Sequence, residues 1–142
     1  MNEPLWYELR NAVYAKEFGL AASLLKANPQ LRVLRDGIGE TVLHFLAVEN
    51  DAEGVAWFHE RGFDLDTKNN FGHPVVFEVA QLGYKDLLLW FAKKGVNFSA
   101  LERDDQNIFD YLREYEKDDM VQFLIENVPN IALQATPASG RA

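Results

Sequence analysis

Apolar positions recur along this chain at helical spacing, in short blocks cut by Gly, Asn and Asp. From Thr41 to Val48 one such block predicts a first short helix, with Thr41 as its N-cap. After Glu49, Asn50 and Asp51 a second block carries Val55, Trp57 and Phe58 on one stripe and stops at Gly62, a residue suited to a left-handed C-cap. Pro74 to Gln81 and Asp86 to Lys93 repeat the plan, and Gly95 stops it again. Upstream, Leu5 to Ala15 and Leu20 to Lys26 predict another helix pair, ended by Asn28 and Pro29. The segments Asp36-Gly37-Ile38-Gly39 and Asn69-Asn70-Phe71-Gly72 read as turns, because Gly accepts positive φ and Asp and Asn bond their own backbone. The pattern predicts an all-α chain.

The blocks are copies of one another at a spacing of 33 residues. Gly39 and Gly72 stand 33 apart, as do Gly62 and Gly95, and Trp57-Phe58 returns as Trp90-Phe91 and then as Phe123-Leu124. The same shift relates Leu43 to Val76 and Phe109, Val55 to Leu88 and Val121, and Leu65 to Phe98 and Ile131. Carried backwards, it takes Trp57-Phe58 to Leu24-Leu25 and keeps the register of the first helix pair.

One stretch, Asp36 to Ala47, reads D-G-I-G-E-T-V-L-H-F-L-A, and Gly62 to Asp66 reads G-F-D-L-D. These residues resemble the ankyrin repeat, a turn and two antiparallel helices with this period and the motif D-x-x-G-x-T-P-L-H-x-A. The next unit keeps Gly72, Pro74, Ala80, Gly83, Gly95 and Asn97, with Phe77 where the family prefers His. The unit after it has Asp105 in place of the turn Gly and Asp110 in place of His. The resemblance implies an ankyrin-repeat solenoid of about four helix-turn-helix units, near 4–35, 36–68, 69–101 and 102–131. The first and last are degenerate caps, since one face of each meets water. Residues 1–131 then form a single domain, and the small, polar residues 132–142 a flexible tail. The resemblance makes His44 structural, bonding Thr41 and neighbouring backbone, and gives Gly39, Gly62, Gly72, Pro74 and Gly95 structural roles as well.

Composition narrows the chemistry. The chain has 142 residues, 48% of them hydrophobic, and no cysteine, so a disulfide framework, a thiolate metal site and a cysteine nucleophile are excluded. Charged residues interrupt the first twenty positions, and no stretch reaches the roughly 20 apolar residues of a membrane span, so a cytoplasmic protein is expected. His44, His59 and His73 lack the i, i+4 spacing of two ligands on one helical face. Neither a phosphate-binding glycine loop nor a nucleophile elbow occurs. No catalytic residue, metal or cofactor is expected. The remaining candidate is the acidic set Glu102, Asp104, Asp105, Asp110, Glu114, Glu116, Asp118 and Asp119, the basis of a minority reading as a carboxylate-based, metal-dependent enzyme. It lacks the ligand spacing of a calcium loop and reads better as a solvated face.

Proteins with this repeat bind other proteins through a concave face of turn tips and first helices. By the resemblance, that face carries Ile38, Glu40, Val48 and Glu49, then Asn70, Phe71, His73, Gln81 and Leu82, then Arg103, Asp104, Gln106, Glu114 and Tyr115. Ile38, Phe71, Leu82 and Tyr115 are more apolar than exposed turns and helix ends need, so they are candidate anchors, with Glu40, Glu49, Asp104 and Glu114 as an acidic rim. The net charge of −8 is uneven, at +2 over residues 1–35, −5 over 36–101 and −5 over 102–119. Such a field favours a basic protein partner over nucleic acid or a membrane surface. The expected function is non-catalytic protein binding by a chain that is a monomer when free. Neutralisation of a basic toxin, as some bacterial immunity proteins resembling this chain perform, is one form of it, and a general adaptor with exchangeable clients is the alternative.

Overall fold

Three turns built to one design organise the chain, which a computed structural model describes over residues 3–131. Asp36 Oδ1 accepts from the backbone N–H groups of Ile38 and Glu40 at 3.1 and 2.9 Å. Asn69 Oδ1 accepts from those of Phe71 and His73 at 3.0 and 3.1 Å. Glu102 Oε1 does the same for Asp104 and Gln106. Each side chain stands in for a backbone acceptor, and each turn closes through its own N–H to the carbonyl four residues on. Helices follow at once. Thr41 Oγ1 accepts from His44 N at 3.3 Å and Asn107 Oδ1 from Asp110 N at 2.9 Å, while Pro74 begins its helix with no side-chain cap.

Among the described residues eight α-helices result and no strand: α1 (Glu3–Tyr14), α2 (Phe18–Ala27), α3 (Val42–Val48), α4 (Ala52–Glu60), α5 (Val75–Gln81), α6 (Lys85–Lys93), α7 (Ile108–Glu114) and α8 (Asp118–Asn127). The chain is all-α over this span. A 3₁₀ turn, Pro29–Arg32, follows α2, and a single isolated bridge joins Lys68 to Pro74. α1 starts two residues before its apolar pattern predicts, because Pro4 is tolerated in a first turn whose N–H groups have no partner anyway, and α2 runs from Phe18 where the pattern begins at Leu20. The C-terminal residues 132–142, expected as a tail, lie outside the described residues.

Each odd-numbered helix packs on the even-numbered helix after it, and α1, α3, α5 and α7 pack in series on one another. The core runs along this row. Val42, Val75 and Ile108 are fully buried at 33-residue intervals, as are Leu46, Val79 and Leu112, while Ala47 and Ala80 let neighbouring helices approach. Even-numbered helices meet through rings: Phe18 stacks on Trp57, the His59 ring meets the edge of Trp90, and Lys85 Nζ lies over Phe123.

Side chains from one turn also hold the next. Arg35 donates to Lys68 O at 2.6 Å, Lys68 to Leu101 O at 2.8 Å, and Arg103 to Asn70 O. The cations at the tips of the turns are thereby committed to backbone carbonyls. No described helix is long and apolar enough to cross a membrane.

Candidate partner-binding face

The turn tips and the C-terminal ends of the odd-numbered helices form two parallel rows. Ile38, Phe71 and Asp104 occupy equivalent places at the tips, and Glu49, Leu82 and Tyr115 equivalent places at the helix ends. All four apolar candidates are exposed, Ile38 by 46%, Phe71 by 55%, Leu82 by 41% and Tyr115 by 44%, as are Tyr7, Tyr14, Leu20, Val33 and Ile125 elsewhere among the described residues. Packing does not account for them. Rings connect the rows: Phe71 lies 6.2 Å from His73, His73 5.2 Å from the buried Tyr111, and Tyr111 4.9 Å from Tyr115. The tip of one unit and the helix end of the next therefore belong to one surface.

Glu49, Asn70, Arg103, Asp104 and Glu114 are exposed beside them, and Val48, His73, Gln81 and Gln106 are half-buried. Val48 O already accepts from the Tyr84 hydroxyl at 2.9 Å. Glu49, Asp104 and Glu114 form no ion pair with any described residue. Tyr14, the last residue of α1 and so the counterpart of Val48, Gln81 and Glu114, is 59% exposed. Sequence reasoning misses it because that unit is one residue out of register: Lys16 takes the positive φ that Asn50 takes later. Beside Tyr14 a hollow of about 230 Å³ is lined by Arg10, Asn11, Phe45 and Glu49. The Arg10 guanidinium lies over the rings of Tyr7, Phe45 and Trp6 at 5.0, 5.2 and 5.9 Å.

Glu40 departs from the expected rim. It is only 5% exposed, and its carboxylate turns inward, where Oε2 lies 3.6 Å from His44 Nε2 and 3.4 Å from Asn69 Nδ2. Its backbone carbonyl accepts from the buried Trp6 indole at 3.0 Å. Burial raises the Glu40 carboxyl above its ordinary 4.5, a push that His44 and Asn69 oppose and the charges of Glu78 and Asp36 reinforce.

His44 also departs from expectation. Its backbone N–H bonds Thr41, but its fully buried ring reaches the next unit, where Nε2 donates to Glu78 Oε1 at 2.5 Å. His44 Nδ1 is buried without a hydrogen-bond partner among the described residues. Asn69 Nδ2 lies 3.4 Å from the same Glu78 oxygen, and His73 Nδ1 lies 3.7 Å from Glu78 Oε2. Glu78 thus links the buried cluster to the exposed face. Neither Glu78 nor Asn69 is legible as a partner of His44 from spacing on one helix, since three separate elements bring them together.

The acidic set 102–119 does not converge. Glu102 spends its carboxylate on the third turn, Asp110 sits near Arg113 at 3.9 Å, and the others are exposed. Among the described residues the one group of three ligand-bearing side chains within 4.8 Å is Glu40, His44 and Glu78.

No family model and no curated protein matches this chain.

Proposed function

We propose that this chain is a small ankyrin-type solenoid that binds a partner protein, without catalysis, through the face carrying Ile38, Phe71, Leu82 and Tyr115. The observation that carries the reading is the exposure of those four side chains in two connected rows. Exposed apolar side chains grouped on one surface and rimmed by polar groups are a mark of interaction sites. The helix pairs in series, the turns repeated at 33 residues and the caps at Thr41 and Asn107 support the ankyrin-type part of the proposal.

The partner is basic. Glu49, Asp104 and Glu114 border the apolar residues without an ion pair to any described residue, while Arg35, Lys68 and Arg103 hold backbone carbonyls. The site of action is the cytoplasm, and the free chain is a monomer. A dedicated inhibitor of the immunity kind binds one basic protein tightly, and an adaptor binds several clients weakly.

The test is to immobilise the protein, pass lysate of its source over it, and compare what salt releases from the native chain and from a Phe71→Ala, Leu82→Ala, Tyr115→Ala variant. One basic protein, released only at high salt and absent from the variant, supports the inhibitor. Several clients released at low salt, again absent from the variant, support the adaptor. Equal capture by both chains removes the face from consideration.

A further inference from the structure

We propose that Glu40, His44 and Glu78, with His73 at their edge, form a binding site for a divalent ion of the zinc type. The candidate ligand atoms Glu40 Oε2, His44 Nε2 and Glu78 Oε1 all lie within 4.8 Å of one another. From the imidazole nitrogen, the Glu78 oxygen is 2.5 Å away and the Glu40 oxygen 3.6 Å. Two ligands at ordinary bond lengths from one zinc ion stand about 3.3 Å apart. The short contact must therefore open by less than about 1 Å and the longer one close slightly, shifts that rotation of two glutamates provides. His73 Nδ1, 3.7 Å from Glu78 Oε2, offers a second imidazole, and water can complete the shell.

Charge argues for the ion independently of spacing. Two carboxylates are withdrawn from water here, and no described Lys or Arg forms an ion pair or hydrogen bond with either. A divalent ion supplies positive charge. His44 ligates it through Nε2 as a neutral imidazole with its one ring proton on Nδ1, and any further proton on the ring or on Glu40 leaves to solvent. The surroundings suit the role. Asn69 Oδ1 is fixed by the N–H groups of Phe71 and His73, so its amide nitrogen must face the two carboxylates and orient them. Entry is from the face, where the side chains of Glu78 and His73 are 20% and 21% exposed. Imidazole with carboxylates selects zinc, cobalt or nickel over magnesium or calcium.

The experiment uses the full chain, stripped with a chelator and exchanged into chelator-free buffer. Zinc chloride raises the melting temperature with saturation at one equivalent, magnesium and calcium chloride do not, and cobalt chloride gives a visible absorption band. Glu78→Gln, which keeps the side chain's shape, weakens zinc binding by at least about tenfold. Absence of both the melting shift and the cobalt band overturns the proposal, as does equal zinc affinity in Glu78→Gln. Should that variant fail to fold, imidazole resonances of the native chain decide. Movement of the His44 and His73 signals with zinc, His59 staying fixed, sustains the site, and movement of His59 alone refutes it. Loss of partner binding in the face variant leaves this result untouched, so the two readings fail separately.

Discussion

A methyl group on Gly39 would stand 2.2 Å from Asn70 Oδ1 and 2.8 Å from Asn70 N, in the turn of the following unit. Gly72 meets Arg103 in the same way, with the backbone N at 2.9 Å and Cβ at 2.6 Å. Both glycines also hold positive φ, near 80°. Two costs coincide there, a left-handed backbone and a collision with a neighbouring backbone that cannot rotate away. Asp105, third in the series, has φ of 62° and carries a side chain in that conformation. Gly39→Ala and Gly72→Ala should each cost about 2–4 kcal/mol in urea unfolding, while Asp105→Gly should change stability by no more than about 1 kcal/mol. Equal effects at all three positions would refute the close-approach account.

Most of this scaffold is legible in the sequence because each unit repeats the same local decisions. Asp36, Asn69 and Glu102 seat the turns and Thr41, Pro74 and Asn107 begin the helices, all at the same spacing. The 33-residue shift also places Ile38, Phe71, Leu82 and Tyr115 on exposed positions. It fails where a side chain chooses between two environments. Glu40 shares its place in the repeat with His73 and Gln106, which are half-buried. It alone turns fully inward, because His44 lies one helical turn along and Asn69 arrives from the next unit. Such a choice depends on three elements at once, and no single stretch of sequence encodes it.

Tyr111 places a phenol in the same junction. Burial, followed by the Glu78 carboxylate and by its neighbour Tyr115, holds that phenol above its ordinary 10.0. The folded state therefore grips the proton more tightly than the unfolded chain does. Its contribution to stability is complete below pH 10 and declines as pH rises from there towards the folded value. Tyr111→Phe cannot titrate, so unfolding measured between pH 9 and 11 should decline less steeply for the variant, with a loss of about 1 kcal/mol or less at pH 7. Parallel pH profiles for the two proteins would show that the phenol has no unusual environment.

Binding and folding should separate at the exposed rows. Phe71, Leu82 and Tyr115 retain 55%, 41% and 44% of their exposure, so truncation removes little buried area. Phe71→Ala, Leu82→Ala and Tyr115→Ala should each shift folding stability by no more than about 1 kcal/mol. An anchor in a desolvated interface behaves differently, and at least one of the three should weaken the partner complex by about 2 kcal/mol or more, mainly through faster dissociation. Asp104→Lys and Glu114→Lys act through the field and should slow association, with the deficit shrinking as salt rises. Surface-plasmon kinetics at low and high salt read both effects at once. Apolar substitutions that unfold the chain, or charge reversals that change only dissociation, would assign these residues to the scaffold.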